Sequence, residues 1–448
     1  MQNSSTGSPA APTLRIDAAW ILPVDDHNRV LKDHSLIISD DRILDCLPTT
    51  LATGTYPDLS CVDRRQHILL PGFINAHTHL PMNLLRGLGS DQPLMRWLQD
   101  YIWPAEKKFM SPEFVHDGTQ LALAESLLSG VTTVNDMYFY PDVIASACQN
   151  AGVRASIGLT VFDMETPWAK DASEYISKGL ELHDQLRNNP LINTTLAPHA
   201  PYTVSVETME RIQMISSELD IHIHTHLHET AAEVNEYVEQ HGVRPIEMLH
   251  RIGMLSPSLM AAHLTQLTEN EIDLLAQTGV NVLHCPESNL KLASGFCPIT
   301  RLAAKGVNIS MGTDGAASNN DLDLLGETRT AALLAKAVSG DAASITARDA
   351  LRMATINGAK ALGISDNTGS LESGKSADMI CIDIDQFMRP MHDVVAQVIY
   401  ATGRERVSDV WVAGRHLLKK RQLLTMDTQQ LEKTASKWEA KLATTPMA

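Results

Sequence analysis

Four histidines and an aspartate stand along this chain in an order that suits a divalent metal: His77, His79, His226, His263 and Asp314. His77 and His79 are two apart and follow the apolar run 68–74. On a strand, residues i and i+2 share a face, so both imidazoles can reach one ion. His226 lies three residues before Glu229, His263 follows the apolar run 259–262, and Asp314 sits in Gly312-Thr313-Asp314-Gly315. Three imidazoles and a carboxylate fit zinc or a similar borderline metal, iron and manganese included. An ordinary catalytic zinc has three protein ligands, so a fourth implies an expanded shell shared with water. The segment 194–203 has no lysine to bridge a second ion, so one metal is expected.

Singly, each residue has an ordinary explanation. HxH pairs occur on surfaces and in cores, Asp-Gly is a common turn pair, and a lone glutamate is usually solvated. Their joint occurrence, each at or just past the end of a short apolar run, points to one shared site. The segment 221–229 alternates strictly and would put His222, His224, His226 and His228 on one side of a strand. Only its C-terminal end reaches a barrel mouth. His226 is therefore the expected ligand, His222 and His224 are expected to be hydrogen-bonded interior residues, and His228 is expected near the site without ligating.

Positioning such residues calls for parallel strands that all end on one face. Between 71 and 365 short apolar segments (131–134, 156–159, 194–197, 221–227, 280–283, 307–311) alternate with helical ones (113–129, 205–219, 269–278). This pattern predicts an α/β fold, a (β/α)8 TIM-like barrel with catalytic side chains at the C-terminal strand ends. Residues 13–70 and 366–448 are strand-rich at opposite ends of the chain. Neither is large enough to bury its own core, so together they predict one small composite β-sandwich domain, closing in a helix over 427–442. Residues 1–12 read as a disordered tail.

The 448 residues carry 36 basic and 53 acidic side chains, a net charge of −17. So acidic a chain repels polyanions, which argues against nucleic acid and anionic membranes and for a neutral or cationic small substrate. The six cysteines form no CxxC pair and read as reduced thiols of a cytoplasmic protein. The first residues lack the basic and apolar regions of a secretory leader. No apolar stretch approaches the ~20 residues of a membrane span. A homo-oligomer is compatible with all of this.

Longer motifs surround these residues: 77–87 (HTHLPMNLLRG), 97–106 from Trp97 to Glu106, 197–202 (APHAPY), 226–230 (HLHET), 284–292 (HCPESNLKL), 312–320 (GTDGAASNN) and 369–378 (GSLESGKSAD). With them the chain resembles the amidohydrolase superfamily, and within it the 5'-methylthioadenosine/S-adenosylhomocysteine deaminase family, over nearly its whole length. The resemblance implies a zinc-dependent hydrolytic deamination of an adenosine-type nucleoside, 5'-methylthioadenosine first, with S-adenosylhomocysteine and adenosine as further substrates. It implies His77, His79, His226 and Asp314 as metal ligands and Glu229, His263 and Asp314 as catalytic groups. It implies Glu106 as the ribose partner, with Trp97, His199 and Glu229 against the substrate. Some relatives that accept S-adenosylhomocysteine carry an arginine near 156–161, where a loose alignment puts Leu159. Met82, Leu84 and Leu85 are candidates for an apolar wall against a methylthio group, and Arg86 for a carboxylate partner. The rival readings are the same chemistry on guanine, an oxidised purine or an s-triazine, and a barrel without activity that only binds.

Overall fold

The computed structural model describes residues 11–443. Four strands open the chain: β1 (Leu14–Ile21), β2 (Leu31–Ser39), β3 (Arg42–Pro48) and β4 (Cys61–Pro71). Eight follow in the central region: β5 (Phe73–Thr78), β6 (Val131–Tyr138), β7 (Arg154–Val161), β8 (Ile192–Pro198), β9 (Ile223–Leu227), β10 (Leu259–His263), β11 (Asn281–His284) and β12 (Ile309–Met311). The last are β13 (Met379–Asp383), β14 (Val407–Val412), β15 (Arg415–Lys419) and β16 (Gln422–Leu423). A helix, Thr428–Ala443, ends the described chain. The expected tail lies outside the described residues save for 11 and 12, of which Ala11 accepts a hydrogen bond from Ser39 Oγ.

β5 to β12 pair in chain order, every observed pair parallel, in an almost closed barrel. Side-chain and backbone bonds complete the seam between β5 and the end of β12. Asn75 Nδ2 donates to Thr313 Oγ1 (2.8 Å), the Thr313 amide to Asn75 Oδ1 (3.0 Å), and the Asp314 amide to the His77 carbonyl (3.0 Å). Gly312 lets the two segments approach: a Cβ there would stand 2.8 Å from His77 Cβ. The strands are buried on both sides, as helices cover their outer face. In β6 and β7 every residue is buried, the polar ones among them included.

The other eight strands form one continuous sheet in the order β16-β15-β14-β13-β4-β1-β2-β3. They make the small β-sandwich domain built from both chain ends, with a separate core of Ile16, Leu36, Ile38, Leu69, Met379 and Trp411. One residue, Gly72, separates β4 in this sheet from β5 in the barrel. Among the described residues no helix is long and apolar enough to cross a membrane.

Candidate active site

The C-terminal ends of the barrel strands surround a cavity of about 680 Å³. His77 lies within β5 and His79 just beyond it; His226 lies within β9, His263 ends β10, and Asp314 follows β12. His263 and Asp314 take positive φ values of 74° and 60°. Such backbone is uncommon outside glycine and gathers where geometry is tightly prescribed.

The ring hydrogen bonds dictate which nitrogens converge. His79 Nδ1 donates to the Met137 carbonyl (2.5 Å) and His226 Nδ1 to the His199 carbonyl (2.7 Å). In a neutral ring this leaves Nε2 bare. Yet the two Nε2 atoms stand 3.3 Å apart, with Asp314 Oδ1 at 3.2 Å from His79 Nε2 and 3.5 Å from His77 Nε2. His77 Nε2 is buried with no hydrogen-bond partner. Three lone pairs and a carboxylate facing one point repel unless a cation lies among them. Without one, Asp314 overcomes the burial that disfavours a charged imidazole and lifts the His79 pKa to about 9. The donor set, three nitrogens and one oxygen with their outer atoms already bonded, fits a divalent cation. His77 Nδ1 lies 2.8 Å from His224 Nε2, so His224 braces the first histidine of the set.

Asp314 Oδ2 faces away from the histidines and accepts from Ser288 Oγ (2.7 Å) and Ser318 Oγ (2.6 Å). Glu229 is buried, and its carboxyl lies 3.8 Å from His263 Nε2. Burial first, then the Asp314 charge, raise its pKa, while His263 opposes them. Its backbone amide donates to Glu233 Oε2 (3.0 Å), which fixes where the side chain starts. Glu106 is also buried, and burial pushes its carboxyl up to about 7. Trp97 and His199 line the cavity, with Trp97 Nε1 donating to the Leu88 carbonyl (2.9 Å) and His199 Nδ1 paired with Thr203 Oγ1 (2.9 Å). Of the sequence-predicted site residues, His79, Trp97, Glu106, His199, His226, Glu229, His263 and Asp314 line this cavity, and the buried His77 places Nε2 3.5 Å from Asp314 Oδ1.

Four expectations need correction. Leu159 does not face the cavity; it is buried against the outer helix, where a Cβ on Gly179 would sit 3.1 Å from Leu159 Cβ. Its strand neighbour Thr160 and then Phe162 face inward instead, a one-residue shift that the period of a strand makes decisive. Leu84 and Leu85 do not reach the wall, whereas Met82 does. Arg86 is turned away, paired with Glu125. His228 leaves the alternation: with φ 52° it bonds the Gln266 carbonyl (3.1 Å) and receives the Ile246 amide (3.3 Å). Sequence reasoning missed Tyr138, Ser288 and Ser318. The serines lie inside quoted motifs, and Tyr138 ends a strand that did read as apolar.

The comparisons agree with this geometry. Residues 68–417 match the model of the Amidohydrolase family. A "5-methylthioadenosine/S-adenosylhomocysteine deaminase" of Teredinibacter turnerae is 48% identical over 95% of this chain and 97% of its own. The crystal structure of an adenosine deaminase from Xanthomonas campestris with bound zinc superposes with a TM-score of 0.96 at 49% identity, covering 98% of this chain and 100% of that one. A zinc complex of atrazine chlorohydrolase from Arthrobacter aurescens reaches 0.88 at 25% identity, over 95% and 100%. The chain belongs to the amidohydrolase family, within its 5'-methylthioadenosine/S-adenosylhomocysteine deaminase branch.

Proposed function

We propose that this protein hydrolytically deaminates 5'-methylthioadenosine to 5'-methylthioinosine and ammonia, with S-adenosylhomocysteine and adenosine as further substrates. The observation that carries this reading is the meeting, in one cavity, of the histidine–aspartate set with two buried carboxyls of raised pKa, Glu229 and Glu106. The names of the relatives and the zinc of the Xanthomonas structure support it. His77, His79, His226 and Asp314 would hold one divalent ion, zinc by preference. When bound, such an ion lowers the pKa of a water towards about 7 and makes hydroxide available at neutral pH.

The chain's own groups then move protons. Asp314, steadied at Oδ2 by Ser288 and Ser318, and His263 take and hold the proton lost by the water. Burial raises the Glu229 pKa, which favours its protonated form. Glu229 delivers a proton to the ring nitrogen beside the carbon under attack, which makes the carbon electrophilic. The proton held by Asp314 and His263 then passes to the amino group, which leaves as ammonia, and the adduct's hydroxyl proton restores Glu229. General acid–base help of this kind contributes roughly 10²–10⁴-fold. Glu106 accepts from the ribose hydroxyls, a role with no use on guanine or an s-triazine.

Apolar side chains line much of the cavity, Met82, Met137, Phe139 and Phe162 among them, and would face the sugar's 5' side. Lys107 is the single permanent cation that lines the cavity among the described residues. A methylthio group gains from burial there, at ~0.8 kcal/mol per methylene-sized unit, whereas a homocysteine zwitterion must be desolvated. The unpaired cysteines fit a cytoplasmic setting. The test is a panel of 5'-methylthioadenosine, S-adenosylhomocysteine, adenosine, guanine and ammeline. Turnover of the free base or the triazine above that of every nucleoside would overturn the reading.

A further inference from the structure

Glu106 stands on the short helix Trp103–Phe109, above the cavity, and Tyr138 is the last residue of β6. Tyr138 Oη donates to Glu106 Oε1 at 2.6 Å. Both residues are buried and both line the cavity. This is the one hydrogen bond that the Tyr138 side chain makes among the described residues, and no protein donor there reaches Glu106 Oε2. A carboxylate has two oxygens with about four acceptor positions, and a phenol oxygen can donate once while still accepting. With Oε1 held by a strand residue, the carboxylate cannot turn freely.

We infer that Tyr138 is a specificity-determining positioning residue: it holds Glu106 so that a ribose cis-diol meets two different acceptors, Glu106 Oε2 and the phenol oxygen. This rests on the reading of Glu106 as the ribose partner. A 2'- or 3'-deoxy sugar would leave one of the two acceptors buried and unmatched, which penalises it more than the loss of one contact.

The same contact governs the charge of Glu106. Burial raises its pKa to about 7, and the Tyr138 hydrogen bond and His79 pull the other way. On its own helix Lys107 and Lys108 flank it, and from β6 Asp136 acts on the phenol. Removing the phenol oxygen takes away one of the interactions that favour the carboxylate. The Glu106 pKa then rises further, and less of the enzyme holds the anion that accepts two hydroxyl bonds well.

The experiment compares wild type and Tyr138→Phe as metal-loaded enzymes. It follows kcat/KM for 5'-methylthioadenosine and its 2',3'-dideoxy analogue from about pH 6 to about pH 9, a span that brackets a raised carboxyl pKa. The ratio of ribo to dideoxy substrate should fall about tenfold near neutrality, the scale of one hydrogen bond to a charged group. The loss should sit in KM rather than kcat, and the deficit should narrow as pH rises and Glu106 ionises unaided. Equal losses on both substrates at every pH would overturn the role of Tyr138. Glu106→Ala, run alongside, separates the two layers. If it too affects both substrates equally, the ribose reading of Glu106 fails; if it discriminates where Tyr138→Phe does not, only the inference about Tyr138 fails.

Discussion

At the base of the barrel Arg154, the first residue of β7, forks onto Asp378 at 2.8 and 3.2 Å. Thr368, Ser376 and the Ala413 amide fill the remaining acceptor sites of that carboxylate. Arg64 does the same to Asp409 in the β-domain, at 2.9 and 2.6 Å. At the mouth, Glu229 and Glu106 are buried too, yet no arginine or lysine reaches either among the described residues. Burial acts on all four carboxyls in the same direction. Cations reverse it at Asp378 and Asp409, whose pKa values fall, and nothing comparable does so at the mouth, where Glu106 and Glu229 rise. Arg154–Asp378 joins barrel to β-domain through paired charges, whereas the mouth has carboxyls whose protonated form burial favours. Barrels in general separate stability from chemistry in this way.

The largest effect that would test this contrast is Glu229→Gln. It should cost at least ~10²-fold in kcat while thermal stability and bound metal stay close to wild type, because an amide cannot deliver the ring proton. Turnover near wild type would remove Glu229 from the chemistry. Asp378→Ala should do the opposite. It strands a buried guanidinium and should destabilise by about 3–5 kcal/mol, read from denaturant curves, while the folded fraction keeps its kcat/KM. The Asp378 carboxyl is held below its unfolded value, so its contribution is present above about pH 4 and fades as pH falls further. In the variant, that acid-sensitive part of the stability profile should be gone.

Glu106 sharpens the comparison because it belongs to the mouth but affects both quantities. Its folded pKa, about 7, lies above the unfolded value near 4.3. Its contribution is therefore complete below the unfolded value and is lost as pH rises through about 7. Glu106→Gln should gain stability relative to wild type between about pH 6 and about pH 8, by on the order of 1–3 kcal/mol. Ribonucleoside kcat/KM should meanwhile fall by about ten- to a hundredfold, the scale of a lost charge-assisted bond. Melting curves that run parallel across that pH span would contradict the burial account. The smallest expected effect is substrate preference: kcat/KM for 5'-methylthioadenosine should exceed that for S-adenosylhomocysteine, and Lys107→Met should widen the gap a few-fold, a surface-charge effect.

The sequence disclosed the mouth better than the base. The convergence of His77, His79, His226 and Asp314 was legible because His77 and His79 share a strand face and barrels bring strand ends to one mouth. Barrel strands were legible as short, largely apolar or β-branched segments that alternate with helical ones. Leu159 was misread because an alignment uncertain by one residue inverts which side chain faces in. His228 was misread because alternation ends with the strand, and its φ of 52° turns the ring away. The pairings Arg154–Asp378 and Arg64–Asp409 join residues 224 and 345 positions apart, and no local pattern announces a partner at that distance. Tyr138 stayed hidden for the same reason: its meaning depends on Glu106, 32 residues away on another element.

The central claim is that the mouth is a metal-dependent nucleoside deaminase site. The most direct measurement counts divalent metal per chain and follows 5'-methylthioadenosine deamination in the same samples of wild type and His226→Ala. One ion per chain with ammonia release in wild type, and loss of both in a still-folded variant, is the predicted result. A fully metallated wild-type protein that leaves 5'-methylthioadenosine and adenosine unchanged, or a variant that keeps its metal and its turnover, would contradict it.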